Sequence, residues 1–412
     1  MSPPAPRAPS PAGRSDAVGE EHGESYMQST RPRQLSAAAM HHYAFRNRIL
    51  AAHPHLRRLY GAEPRQLLMV VLLLTARWGL AWALADAPLL LIGALACTVG
   101  CWLVHGLGTY AHEQAHRLIV AREPAASAVD LLIECGMTSF GKMVAYQYRH
   151  VNFHHRYLGD YEWDSEVRDL CAHVVVVEAA DRAALASRAL QLLEGTLAVV
   201  LPAGGLVAQD VAEALRGVIL PDVSASDAAR KQRFALPPNV ERKANWFAAA
   251  SLGCYLLTWW LWGWRAMLFA LWSLSVKASR FDVIGWGQDM AEHNADDAAP
   301  TNSTYTLWNL LFSNTGYHNE HHTFPSVPGC RLPEITAAAP EAFKPTENPT
   351  PWAVLWARWA AAGFRSVWRL SDQQKRLARA GRCHKGRGGV KAEGPDRHRG
   401  RRATTVASSS DD

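Results

Sequence analysis

With 412 residues, a formal charge of +6, 49% hydrophobic residues and a mean hydropathy of −0.12, the chain has the averages of a soluble protein of two or three ordinary domains or one large one. Those averages conceal bunched apolar stretches between two polar ends, and the 16 tryptophans lie largely in or beside those stretches, as in membrane-interface belts. The seven cysteines are odd in number and form no CxxC pair, so they suggest neither a disulfide framework nor a zinc ribbon.

Residues 1–38, rich in Pro, Ala, Ser and charge, are expected to be disordered and show no cleavable signal peptide. Residues 39–66 predict a basic amphipathic segment leading to a membrane, and residues 67–350 the membrane domain itself. Leu67 to Ala85 gives 19 mainly apolar residues, about 29 Å as a helix and enough to cross a bilayer core. Arg77 within it would cost about 2.5–3.5 kcal/mol unless it snorkels or meets a partner. Asp86-Ala87-Pro88 turns the chain, and Pro88 to Tyr110 supplies a second crossing. Residues 189–220, broken by Pro202, Gly204 and Gly205, predict helices lying on the membrane surface. Ala244 to Trp262 and Trp264 to about Trp286 predict a second hairpin with Trp259, Trp260, Trp262 and Trp264 at its turn.

Basic residues precede the first crossing (Arg57, Arg58, Arg65) and the third (Arg230, Lys231, Arg233, Arg242, Lys243), and occur late in the fourth (Lys277, Arg280). The positive-inside rule then puts both termini and the long middle segment in the cytosol. Residues 351–412 form a basic, largely disordered tail, with 13 Lys/Arg against three acidic residues between Arg365 and Arg402. It reads as a solvated cytosolic tail rather than a surface for anionic headgroups or nucleic acid. The predicted fold is an all-α integral membrane protein of four transmembrane helices in two hairpins, with a cytosolic helical cap.

The 18 histidines carry the chemical signal. His112 and His116 stand in HEQAH after the second crossing; His150, His154 and His155 stand in HVNFHH; His318, His321 and His322 stand in HNEHH; His293 lies in AEHN. Positions i, i+3 and i+4 share a helix face, so each group can aim its imidazoles at one point. An even number of crossings separates the groups, so all nine reach one side of the membrane and can form one site. Nine imidazoles suit two metals, and imidazole suits iron, zinc, copper or nickel. Redox chemistry favours two ferrous ions over zinc, which cannot change oxidation state. The remaining histidines, His22, His41, His42, His53, His55, His173, His384 and His398, read as structural or exposed. His105, two turns before His112, is a candidate partner behind a ligand or an ordinary helix residue.

HEQAH also satisfies H-E-x-x-H, in which His112 and His116 would bind zinc and Glu113 would be the base of an intramembrane metalloprotease. That reading leaves seven clustered histidines unexplained. A metal transporter would hold its ligands within the crossings, not at one face.

HEQAH, HVNFHHRYLGD and GYHNEHHTFPSVPG, in this order between hairpins, resemble the membrane fatty-acid desaturase superfamily. FRNRILAAHPHLRRLYGAEP, HHRYLGD, and AEHN through NLLFSNTGYHNEHHTFPSVPGCRLPEI resemble sphingolipid (dihydroceramide) Δ4-desaturases. The resemblance implies an endoplasmic reticulum membrane enzyme with two iron ions (Fe2+), dioxygen, and electrons from cytochrome b5 and its reductase. It implies a trans C4–C5 double bond placed in dihydroceramide to give ceramide, with sphingolipid C4-hydroxylation or acyl-lipid desaturation as alternatives. His112, His116, His150, His154, His155, His293, His318, His321 and His322 would be the iron ligands. In related acyl-CoA desaturases an Asn one turn before the ligand matching His293 holds a metal-bound water; Asp289 stands there here. Two further departures are the second box, one residue longer than the family's H-x-x-H-H, and Arg117 where the family usually has Asn.

Overall fold

A computed structural model describes residues 35–160, 163–166, 182–207, 211, 234–293 and 301–362. Among these the protein is helical, with isolated bridges (His293–Thr301, Ser303–Glu347) and no strand. The expectations for residues 1–34, for most of 208–233 and for the tail from 363 onward lie outside the described residues.

Two described helices are long and apolar enough to cross a membrane, α2 (Gln66–Ala83) and α3 (Leu89–Ala115). They follow α1 (Ala37–Ala52) and pack as an antiparallel pair through the turn at Pro88. A π-helical turn at Ala96–Gly100 interrupts α3, where Gly100 approaches Ser273 and Phe269 too closely for any side chain.

The second expected hairpin is present as a pair of helices with unequal arms, α7 (Pro238–Trp262) and α8 (Trp264–Lys277), after α6 (Arg182–Val200), but neither arm is long and apolar enough to count as a crossing, so two of the four expected crossings are found among the described residues. The expected fourth crossing to Trp286 is too long. The chain breaks at residues 278–282 because the Asp282 carboxylate accepts the Gly285 amide 3.0 Å away and caps a new helix, α9 (Val283–Glu292).

The middle segment also departs from a position wholly at one end. The helices α4 (Ala125–Met137) and α5 (Lys142–Arg149) turn back into the bundle between the hairpins. Their tip reaches Arg77, which is fully buried. The Arg77 guanidinium donates to the carbonyl of Gly136, to Thr138 Oγ1 at 3.0 Å and to the carbonyl of Ala270 at 2.8 Å. The charge thus satisfies carbonyls at the negative end of α4 and joins it to α8. Glu134 closes the same tip, accepting from Ser139 Oγ at 2.6 Å, the Gly141 amide at 3.0 Å and Ser251 Oγ at 2.5 Å.

The cap consists of α1, α10 (His318–Thr323) and α11 (Leu332–Ala338), sharing a core of Ile49, Leu50, Leu56, Phe324, Val327 and Ile335. Two helices lie at the expected boundaries: α1 begins at Ala37, within the last two residues of the segment 1–38, and α12 (Trp352–Ala361) opens the segment 351–412. α12 buries Trp352, Leu355 and Trp359 in a core with Ile284, Met290 and Ala291 of α9. Gly287 approaches the Trp352 backbone so closely that a Cβ there would stand 2.2 Å from its carbonyl oxygen.

Replacing Arg77 with Met leaves the Gly136 and Ala270 carbonyls without a donor, at a cost of about 2–4 kcal/mol. The detergent-solubilised variant is expected to melt several degrees lower; an unchanged melt would mean that Arg77 does not tie the inserted hairpin to the bundle.

Candidate metal centre

Four chain segments deliver the nine predicted histidines to one end of the bundle. His112 and His116 close α3, which stops there because Arg117 adopts φ 57°, the left-handed region in which a helix ends. Asn suits that conformation better than Arg. The Arg117 guanidinium is held there by Asp130 Oδ2 at 3.2 Å and Glu123 Oε1 at 3.1 Å. His293 stands at the C-terminus of α9, and His318, His321 and His322 lie on α10.

The second box has a local device that absorbs its extra residue. After α5 the chain forms a π-helical turn over His150–His154, in which the His155 amide donates to the His150 carbonyl, five residues back. A π turn takes up one inserted residue without changing the direction of the flanking helix. It brings His150 and His155 to one group and leaves His154 to another.

All nine histidines meet in two groups: His112, His116, His150, His155 and His321 in one, and His154, His293, His318 and His322 in the other. Within each group the candidate ligand nitrogens lie within 4.8 Å of one another. In the four-histidine group the Nε2 atoms form a closed ring. Its edges are 3.1 Å (His154–His293), 3.1 Å (His293–His318), 3.0 Å (His318–His322) and 3.2 Å (His322–His154). A point equidistant from four such atoms lies about 2 Å from each, the length of a metal–imidazole bond. In the five-histidine group, His155 Nε2 is 3.0 Å from His150 Nε2 and 3.1 Å from His321 Nε2. The Nε2 atoms of His112 and His116 are buried without a hydrogen-bond partner. His155 and His322, one from each group, stack with centroids 4.3 Å apart.

Burial pushes His116, His150, His155, His318, His321 and His322 well below the ordinary imidazole range, and His293 down to about 3. These rings are neutral, as ligands must be. His154 goes the other way: burial opposes its charge, but Glu166 and Asp164 outweigh it and raise the pKa to about 9. That corner of the site calls for positive charge, which a metal supplies as well as a proton does. Converging neutral nitrogens, two orphaned buried Nε2 atoms and carboxylates behind the rings fit divalent metal ions of the imidazole-preferring kind.

The carboxylates are what sequence reading missed. Asp164 Oδ1 accepts from His154 Nδ1 at 2.9 Å, and Glu166 Oε1 accepts from His150 Nδ1 at 2.7 Å. Each fixes the tautomer that turns Nε2 toward the site. Asp164 is itself held by the Gly159 and Glu166 amides, both at 2.9 Å. Glu292 Oε2 lies 3.3 Å from His318 Nδ1. His42, expected to be structural or exposed, is buried, 2.9 Å from Thr323 Oγ1 and 3.2 Å from Thr301 Oγ1, with its ring 5.7 Å from that of His322.

His105 lies outside both groups. Its Nε2 is 2.7 Å from Gln288 Oε1, and Gln288 donates to Glu292 at 3.0 Å, so it reaches His318 through two side chains. Asp289 sits one turn before His293, its carbonyl accepting the His293 amide at 3.3 Å. Burial raises its carboxyl to about 6, against the opposing charge of Lys277. Glu113 is committed elsewhere, accepting the Gly329 amide at 2.8 Å, which ties the first box to the loop after the third.

The fold and the paired histidine groups define an all-helical protein of metal-dependent chemistry. Residues 86–356 match the family model described as fatty acid desaturase. The chain belongs to that family and is an oxidoreductase. It is 24% identical over 316 residues to a rice protein (Oryza sativa subsp. japonica) named sphingolipid delta(4)-desaturase DES1-like, covering 76% of this chain and 84% of that one. A sphingolipid delta(4)-desaturase of Candida albicans is 25% identical, covering 76% and 81% of the two chains. The human sphingolipid delta(4)-desaturase/C4-monooxygenase DES2 is 38% identical over 99 residues, 22% of this chain and 31% of that one. No solved structure matches the chain.

Replacing Asp164 with Ala removes the acceptor that orients His154, and metal affinity is expected to fall about 10- to 100-fold. Titration against a competing chelator measures this; unchanged affinity would show that Asp164 does not orient the ring.

Proposed function

We propose that this protein is a sphingolipid Δ4-desaturase of the endoplasmic reticulum membrane that converts dihydroceramide to ceramide. The observation that carries this reading is the convergence of nine histidines in a group of five and a group of four. The names of the relatives that cover about three quarters of the chain support the sphingolipid substrate.

In this reading two iron ions occupy the two groups, with His112, His116, His150, His155 and His321 around one and His154, His293, His318 and His322 around the other. Bound there, iron supplies the one-electron chemistry that lets dioxygen attack an unactivated methylene. The reaction consumes one dioxygen, two electrons and two protons, removes one hydrogen from each of C4 and C5, and releases two waters. Cytochrome b5 and its reductase supply the electrons. The protein's own part is orientation. Asp164 and Glu166 hold the Nδ1 protons of His154 and His150 so that the Nε2 lone pairs face inward, and α1 covers the site through His42.

The membrane arrangement consists of two helical hairpins with both termini cytosolic. Its supports are the two apolar helices of crossing length and the exposed Leu252, Leu256, Leu257, Trp260 and Leu261 on α7, an outer surface suited to lipid. The Trp-rich turn of the second hairpin suits the far interface.

A second outcome at the same site is C4-hydroxylation, favoured by the C4-monooxygenase in the name of the human relative. Loss of a second hydrogen gives the alkene, whereas oxygen transfer after the first gives the alcohol, and sub-ångström placement of the chain decides between them.

Desaturase-deficient cells expressing this chain and fed labelled dihydroceramide are expected to yield product lacking two hydrogens at C4 and C5. Gain of one oxygen would establish the hydroxylase instead. Desaturation of ordinary acyl chains with dihydroceramide untouched would contradict the substrate. His154→Ala and His321→Ala are each expected to abolish turnover while the protein still inserts into the membrane.

A further inference from the structure

The short 3-10 turn Leu307–Leu310, between His293 and the third histidine box, has an unusual surface. Leu307 is 87% exposed and Leu310 77% exposed. In a 3-10 turn, residues three apart eclipse one another, so the two leucines form one apolar edge pointing away from the protein. The opposite edge is anchored. Phe312 is buried with its ring 4.8 Å from that of His105, and Trp308 lies 5.4 Å from Trp102, both partners being on α3.

These contacts fix the depth of the turn. α3 extends over 27 residues, about 40 Å, so its cytosolic end projects beyond a hydrocarbon core of about 30 Å. Trp102 stands thirteen residues along α3 from Leu89, about 20 Å, and so within a core that begins there. On the other side, Ser313 Oγ donates to Gln66 Oε1 at 3.0 Å, at the first residue of α2. The turn therefore lies just inside the membrane boundary, beside the first hairpin.

Irregular backbone survives at that depth only if its polar groups are satisfied by protein. Here several of them bond within the protein. Asn309 donates to the Thr304 carbonyl at 3.0 Å and accepts the Gly316 amide at 3.1 Å, while its own carbonyl accepts the Asn314 amide at 2.8 Å. The amides of Leu311 and Phe312 both donate to the Trp308 carbonyl at 3.0 Å. Only apolar side chains remain on the outer edge.

We propose that Leu307–Leu310 is a membrane-inserted wedge, a non-spanning element whose leucine edge contacts lipid acyl chains. The occupant is hydrocarbon because the edge continues the apolar flank of α3 past Trp102. The chain after the wedge is linked to the candidate metal centre through three side chains: Thr315, five residues on from Leu310, accepts from Gln288 at 3.0 Å, and Gln288 also holds Glu292, which lies behind His318. Lipid drawn from the bilayer along this edge arrives beside α9 and the third box. The inference rests on the membrane reading given above.

A fluorescent amino acid placed by stop-codon suppression at Leu307, Leu310, Leu68 or Arg58 in the full chain, in phosphatidylcholine vesicles, tests it. Leu68 is 65% exposed on the outer face of α2, and Arg58 is a cap residue. The probes at Leu307 and Leu310 are expected to lose at least half their emission to lipids brominated on the acyl chain and to resist aqueous iodide. Leu68 should behave alike, and Arg58 the opposite way. If Leu68 responds to bromolipid while Leu307 and Leu310 respond only to iodide, the wedge is wrong and the membrane reading stands. Shielding of Leu307 and Leu310 from both quenchers would mean that protein covers the edge, which also overturns the proposal. Iodide quenching of Leu68 would overturn the membrane reading and the wedge with it.

Discussion

Imidazole nitrogens brought within 3.0–3.2 Å of one another, with carboxylates behind two of the rings, form a concentration of lone pairs that needs positive charge at its centre. The rest of the structure serves that requirement. Four segments separated by up to 210 positions, from His112 to His322, must end at one face with their side chains converging. Only a bundle whose helices each finish at that face achieves this. The helix ends are accordingly set by local devices: Arg117 in the left-handed conformation after His116, the π turn at His150–His154, and the Asp282 cap that starts α9 and so places His293 at its end.

The supports behind the ligands explain why buried acidic residues are tolerated here. A buried carboxylate is costly unless it is paired and hydrogen-bonded. Asp164 takes two amides and one imidazole, and Glu320, on α10 but facing away from the site, takes Tyr305 at 2.6 Å, Thr336 at 2.7 Å and Ser303. Asp164 and Glu320 thus hold a ring and a helix in place. Glu113 does the same for the loop at Gly329, and Arg77 for the inserted hairpin deep in the bundle.

Much of this was legible in the sequence, and the parts that were not have physical causes. The nine histidines stand at helical spacings next to apolar stretches, so their convergence follows from periodicity and parity of crossings. Their division into five and four does not, because it depends on a π turn that separates His154 from its neighbours. Asp164 and Glu166 lie ten and sixteen residues from the rings they orient, in a turn without periodicity. His42 resembles any exposed histidine because its partner Thr323 is 281 positions away. The end of α8 was readable in principle: Asp282 is a helix-starting residue, but the apolar Val283, Ile284 and Trp286 beyond it extend the hydrophobic run. The return of residues 125–149 into the bundle was hidden by Glu134 and Thr138, which look like loop residues until their partners Ser251 and Tyr255 on α7 are seen.

The most direct test of the account is the metal content and coordination of the purified full-length protein, by elemental analysis together with iron X-ray absorption. The account predicts two irons per chain, both with a close shell dominated by imidazole nitrogen. One iron per chain, or a close shell rich in carboxylate oxygen, would contradict the division of nine histidines between two metals.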